Sequence, residues 1–335
     1  MVNDAAPSPL RDAIDVHAHF LTPSLRTAMI DAGHERPDGM PVLPEWNPDI
    51  AMSVMDRTGI RAAVLSVSSP GVLLDGDLAR AARLARTVND EGAALVAAHP
   101  HRFGLFASLP LPDVEAAITE TRYAFDRLAV DGITLQTNYG GTYLGNPAFE
   151  PLMAELDARA AVVHVHPTSP ACWDQTALGR PRPMIEFPFD STRAVAALAL
   201  NGVLDRYPRV RFIVSHAGAA LPVLADRLAG FAILESPSAP VDVLAALQRL
   251  HYDVAGFVLP RALPALLNLV APERLLYGSD YPFTADWLVH GLAAALAGTE
   301  VLTEAQRQSM TRGQAEGLFP RLAHPRPGGE TQTQP

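Results

Sequence analysis

The chain has little of what staples a secreted fold, crosses a membrane or binds a polyanion. It holds one cysteine, Cys172, in 335 residues, so no internal disulfide can form. Zinc sites built on several cysteines are excluded for the same reason, and any metal must be held by histidine and carboxylate. No window approaches the ~18 uninterrupted apolar residues that a membrane-spanning helix needs. The stretch from Met1 to Arg11 lacks the basic-then-apolar order of a signal peptide. Charge is sparse at 19% and acidic in balance, with a formal net charge of −10. Such a surface repels a phosphate backbone, so nucleic acid is not an expected partner. A membrane is not expected as a partner either, and the expected location is the cytoplasm.

What is present is apolar and periodic. Hydrophobic residues make up 48% of the chain, enough for a large core. Eight β-rich apolar runs read as strands: Ala13–Phe20, Arg61–Ser68, Phe103–Leu109, Gly132–Thr137, Ala161–His166, Val210–His216, His251–Ala255 and Arg274–Ser279. Helical patterns lie between them, among them Asp77–Ala98, Asp113–Val130, Pro147–Arg159 and Ser191–Tyr207. Asn47-Pro48 and Asn146-Pro147 each set a capping side chain before a proline at the first helical position. Asp190 or Ser191 is the expected cap of the helix that runs to Tyr207. Strands alternating with helices pair in parallel. Eight such units predict an α/β protein closed into a (β/α)₈ barrel, with an open doubly wound sheet as the alternative.

The expected organisation is one barrel domain over 13–319, preceded by an extension over 1–12. Insertions fall near 22–46 and 167–188. Both follow strand ends, where barrels build their active sites. The tail over 320–335, rich in Pro, Gly, Thr and Gln, is expected to be disordered.

Four strand ends carry chemistry. In Asp15-Val16-His17-Ala18-His19 the two histidines are two apart on a strand and face one side. Two neutral imidazoles there can share a metal, or they can be hydrogen-bonded packing groups. Val163-His164-Val165-His166-Pro167 repeats the pattern. His166, nearest the strand end, is the better ligand, whereas His164 reads as a buried, satisfied or supporting group. In Val214-Ser215-His216-Ala217-Gly218 the histidine precedes small residues that let a substrate approach. It is a candidate general acid or base, or a capping group. In Tyr277-Gly278-Ser279-Asp280-Tyr281-Pro282 a buried carboxylate needs a cation or a proton beside it, unless it caps a helix or pairs with a base. All four strand ends open on one face. Three or four His/Asp ligands with an open position form the pattern of a catalytic metal site.

On these motifs, from Ile14 to about Phe319, the chain resembles the amidohydrolase superfamily. It is most similar to the amidohydrolase-2 branch that includes aminocarboxymuconate-semialdehyde decarboxylase. The resemblance implies that His17, His19, His166 and Asp280 hold one divalent metal, zinc first and manganese as the alternative. It also implies that His216 and Asp280 are catalytic. Other amidohydrolases bridge two metals with a carboxylated lysine after the fourth strand. Here that strand ends in Leu135-Gln136-Thr137-Asn138 and no lysine occurs from Ala62 to Val270, which argues for a single metal. Ser66-Val67-Ser68-Ser69-Pro70-Gly71, Thr137-Asn138-Tyr139-Gly140-Gly141, His166-Pro167-Thr168-Ser169-Pro170 and Glu186-Phe187-Pro188-Phe189-Asp190 look like decarboxylases of hydroxylated benzoates such as 6-methylsalicylate.

The expected activity is therefore non-oxidative decarboxylation of an aromatic or unsaturated carboxylic acid. Trp173, Phe189 and Phe283 are candidate walls for a flat substrate, or ordinary packing groups. Hydrolysis of an amide, lactone or ester uses the same ligand set and is the alternative reaction. A barrel without catalysis, acting as a binding protein, is the alternative of another class. The expected partners are a small carboxylic acid substrate and a second copy of the chain in a homodimer.

Overall fold

The computed structural model describes residues 8–323. Its frame is eight parallel strands: β1 (Ala13–His19), β2 (Ile60–Ser66), β3 (Phe103–Ser108), β4 (Gly132–Gln136), β5 (Val162–His166), β6 (Arg211–Val214), β7 (His251–Asp253) and β8 (Leu275–Leu276). Each strand pairs with its predecessor in chain order. The ring closes through irregular backbone contacts rather than a long ladder. Val16 N donates to Tyr277 O at 2.9 Å and His19 N to Tyr281 O at 2.7 Å. Ala18 bridges Tyr281 in parallel. Eight parallel strands with joined ends are a (β/α)₈ barrel and not an open sheet.

Alternation along each strand separates two cores. Ile14, Val16, Ala62, Val64, Phe106, Val162, Ile213 and Leu276 face inward and fill the barrel floor. Ala13, Ala63, Leu65, Leu105, Val163, Val165 and Val214 face outward and pack in the larger cluster beneath the helices. The floor is completed from below by the end of the described chain. Ala315, Leu318, Phe319 and Leu322 pack against those inward residues. The Phe319 ring lies edge-on to Phe106 at 5.7 Å.

Capping side chains open several of the helices. Asn47 accepts from Ile50 N and Asp77 accepts from Arg80 N, opening the helix Leu78–Ala98. Asn146 caps a short 3₁₀ turn, Pro147–Phe149, that leads into Glu150–Ala158.

Two expectations need correction. The helix expected to start at Ser191 begins at Glu186 and ends at Leu200, with a separate turn at Val203–Arg206. Pro188 is tolerated because it sits in the first turn, where amide hydrogens have no helical partner. Asp190 is therefore inside the helix and does not cap it. The insertion after β1 contains a helix, Pro23–Asp31. Finally, Pro320–Leu322 forms a 3₁₀ turn with Leu322 buried. Arg321 is anchored there on Asp131 at 2.6 Å. The remainder of the tail expected to be disordered, 324–335, and residues 1–7 of the N-terminal extension lie outside the described residues.

Candidate metal centre

The site begins with an irregularity in β1. Asp15 pairs with Ala63 but Ala18 pairs with Leu65, so β1 carries one extra residue between them. Such a bulge re-aims side chains. Here it turns His17 inward immediately after Val16, which also faces inward. His19 follows two residues on, and the two imidazole rings meet edge-on at 5.0 Å.

Three other strand ends converge on this pair. From β5 comes His166, whose ring lies 4.7 Å from that of His19 and 5.2 Å from that of His17. From the segment after β8 comes Asp280, whose Oδ1 is 3.5 Å from His17 Nε2 and 3.1 Å from His19 Nε2. One donor atom from each of His17, His19, His166 and Asp280 falls within 4.8 Å of the other three. After β6 stands His216, with Nε2 3.5 Å from Asp280 Oδ2. Both His216 and Asp280 have left-handed backbones, with φ of 57° and 58°. That conformation is uncommon away from glycine and tends to mark functional positions.

Gly278 permits the close approach of β8 to β1. A Cβ at this position would lie 2.7 Å from His17 Cβ.

Each histidine of β1 is fixed from behind. His17 Nδ1 is 2.9 Å from Asp253 Oδ2 on β7, and His19 Nδ1 is 3.0 Å from Ser66 Oγ on β2. Asp253 organises more than one ring. Its Oδ1 accepts from the backbone amides of His216 at 3.0 Å and Ala255 at 3.1 Å. Its Oδ2 also lies 3.3 Å from His164 Nε2, which in turn is 3.1 Å from Ser215 Oγ. The His164 ring stacks on Phe106 at 5.5 Å. His164 thus lies beneath the centre as a support. The cluster of His17, His164 and Asp253 is accounted for by these hydrogen bonds.

The donor set suits a divalent cation. His17 Nε2 and His19 Nε2 are buried without a hydrogen-bond partner, although both approach Asp280. Unpaired buried nitrogens are costly, and a cation between them and the carboxylate removes that cost. Burial holds His19 below the ordinary histidine range and His166 well below it. Both are therefore neutral, the form that ligates. Burial works against the Asp280 carboxylate, but His17, His19 and His216 hold it well below the usual carboxylate range. Burial also opposes the charged form of His17, yet Asp253 and Asp280 raise it to about 9. An electron-pair acceptor placed there competes with that proton. The sequence has no lysine at all, so no carboxylated lysine can bridge two metals here.

The three aromatic residues picked from sequence lie in different settings. Phe283 meets His19 edge-on at 5.6 Å. Trp173 is 41% exposed on the segment after β5, beneath the Arg182 guanidinium. Phe189 is 46% exposed. It is Phe187, two residues earlier, that is buried and meets the His166 ring at 6.2 Å. The sequence patterns gave Asp253, Ser66 and Phe187 no role, although Ser66 and Phe187 lie in stretches that resemble hydroxybenzoate decarboxylases. Asp253 had a signal, being the one carboxylate in a short apolar strand.

Comparison with known proteins agrees with this architecture. Over 315 residues the chain is 36% identical to 6-methylsalicylic acid decarboxylase of Penicillium expansum, a match spanning 92% of this chain and 96% of that protein. A crystal structure of amidohydrolase II matches with a TM-score of 0.88 at 37% identity, covering 92% of this chain and 99% of that one. A dihydroxybenzoic acid decarboxylase from Polaromonas sp. JS666, with bound manganese and the inhibitor 2-nitroresorcinol, matches with a TM-score of 0.80 at 25% identity, covering 94% and 98%. The family model described as amidohydrolase matches residues 14–321. The motifs, the barrel and this match together make the chain a member of the amidohydrolase family.

Proposed function

We propose that the protein is a carboxy-lyase that removes CO₂ non-oxidatively from a hydroxylated aromatic acid, with one divalent metal held by His17, His19, His166 and Asp280. The observation that carries the reading is the convergence of those four side chains beside His216 at the mouth of the barrel. The names of the similar proteins support the reaction class and the substrate class.

A divalent cation held by these four residues would supply Lewis-acid charge that offsets negative charge developing on the substrate. Three imidazoles and one carboxylate favour zinc over metals that prefer all-oxygen sets, and manganese is the alternative. The chain's own residues handle the proton. Loss of CO₂ leaves the bonding electron pair on the ring carbon, which must take up a proton. Asp280 Oδ2 and His216 Nε2 are 3.5 Å apart, so a proton that either takes up, from solvent or from the substrate's own hydroxyl, can be handed to that carbon. Asp253 holds the His216 backbone amide and so keeps its ring over the reacting face. Phe283 and Phe187 present apolar surface beside His19 and His166, which suits a flat ring and excludes water.

No helix of the described residues is long and apolar enough to cross a membrane. The acidic charge and the single exposed cysteine fit a cytoplasmic enzyme. Exposed Val223 and Leu234 on the helix Leu221–Glu235 support a homodimer.

The deciding experiment incubates protein of measured metal content with salicylate-type and resorcylate-type acids in ¹⁸O-water. Release of CO₂ without solvent oxygen in the organic product is expected. Solvent oxygen incorporated by cleavage of an amide, lactone or ester would replace this reading with hydrolysis.

A further inference from the structure

A cavity of about 280 Å³ opens where the two insertions meet, and Asp38, Gln136, Thr168, Trp173 and Arg182 are among the residues lining it. It adjoins the metal centre. Gln136 is the register partner of His166 across β4 and β5, and Thr168 follows His166 by two residues. The cavity is a built feature. Ser169 Oγ donates to Asp38 of the first insertion and accepts from Arg182 Nε of the second at 3.0 Å. The Arg182 guanidinium lies over the Trp173 ring at 4.2 Å. One N–H and one face of the guanidinium are thereby engaged. Its two Nη groups have no protein acceptor among the described residues, and no ion pair joins it to Asp38, which already holds the Ser169 hydroxyl.

A second observation points to a ligand in the same place. Gln136 is only 5% exposed, and its Oε1 is buried with no partner. A buried amide oxygen without a donor is costly unless something else supplies one. A stacked, oriented guanidinium with free Nη groups is the arrangement that recognises a planar carboxylate by paired, charge-assisted hydrogen bonds. A ring hydroxyl next to that carboxylate is a donor that Gln136 Oε1 can accept.

We propose that Arg182 is the carboxylate-recognising residue of the active site and that Gln136 reads a hydroxyl on the same substrate. The assignment rests on the proposed reaction for the substrate class and adds which residues select it. The cavity then discriminates a hydroxylated aromatic acid from the phenol left after CO₂ departs, because only the acid carries the group that Arg182 holds. Loosened binding of the phenol favours product release.

The test is calorimetric titration of metal-loaded protein with 2-hydroxybenzoate and with phenol, for the wild type and for Arg182→Met. Arg182→Gln serves as a second uncharged variant should the first fail to fold. Affinity for 2-hydroxybenzoate is expected to fall about ten-fold or more, the scale of a lost charge-assisted hydrogen bond. Affinity for phenol should change less than about two-fold, since it lacks the carboxylate. Unchanged 2-hydroxybenzoate binding, or equal losses for both ligands, overturns the assignment. CO₂ release on the same samples separates the two readings. Arg182-dependent binding without CO₂ from any acid leaves the assignment standing and removes the decarboxylase. CO₂ release with a wild-type KM in the variants does the reverse. A wild-type protein that binds neither ligand removes both.

Discussion

Asp253 Oδ2 lies 2.9 Å from His17 Nδ1, which leaves His17 Nε2 facing Asp280 across the centre. A carboxylate behind a ligating imidazole fixes the ring's tautomer and angle and raises its basicity. Replacing Asp253 by Asn keeps the shape and removes the charge. The variant should fold and bind metal ~10–100-fold more weakly. A chelator competition titration reads this directly, and unchanged affinity would show that the pair is incidental.

Asp280 and His216 should part in their effects. Asp280→Asn removes both a metal ligand and a proton carrier, so turnover should vanish while the thermal transition persists. His216→Ala should keep its metal and lose roughly 10²–10⁴-fold in kcat, the usual scale of acid–base assistance. Metal analysis beside the rate assay decides. Metal loss from His216→Ala would make that histidine a ligand, and near-normal turnover in Asp280→Asn contradicts its role.

Gly278 stands where any side chain collides with His17. The methyl of Gly278→Ala would sit 2.7 Å from His17 Cβ, 3.2 Å from Ala255 Cβ and 3.3 Å from Asp253 Cβ. Relief requires β8 and β1 to separate. The expected cost is ~1–3 kcal/mol, as for other overpacked interiors, together with reduced metal occupancy. Denaturant midpoint and metal content both report on it, and a variant matching the wild type in both refutes the argument.

His251, at the start of β7, should shape stability in acid. Burial, helped by Arg274 and Arg211, lowers it from 6.5 to about 4. The unfolded chain therefore binds a proton between those values that the folded chain does not. Its contribution is complete above pH 6.5 and is lost as pH falls toward 4, amounting to about 3 kcal/mol at most. As pH drops from 7 to 4 the wild type should lose up to about 3 kcal/mol more unfolding free energy than His251→Leu. Parallel profiles would mean that His251 is not linked to folding.

Much of this architecture is legible from pattern alone, and the exceptions have physical causes. All eight strands emerge from apolar runs because both faces of a barrel strand are buried. The observed β8 is only Leu275–Leu276, since the residues after it close the ring through irregular bridges that no periodicity encodes. The two His-x-His pairs read correctly as inward because parity holds within each pair. The bulge that places His17 inward beside Val16 has no sequence signature. Pro188 concealed the start of a helix, and with it the role of Asp190. That carboxylate accepts from Thr137, Asn138 and Tyr143. In this way the helix is tied to the β4 loop next to His166. Asp253 was visible as a lone acid in an apolar strand, but its partners come from β1, β5 and the β6 loop, and only the closed barrel brings them together.

The floor beneath the metal centre is made by the last stretch of chain described. Phe319 packs on Phe106, which stacks on His164, which touches the carboxylate behind His17. His17 and His19 stand near the start of the described chain and the plug that supports them stands at its end. A fault in the plug would therefore reach the ligands from below, through His164 and Asp253, with all four ligand side chains intact.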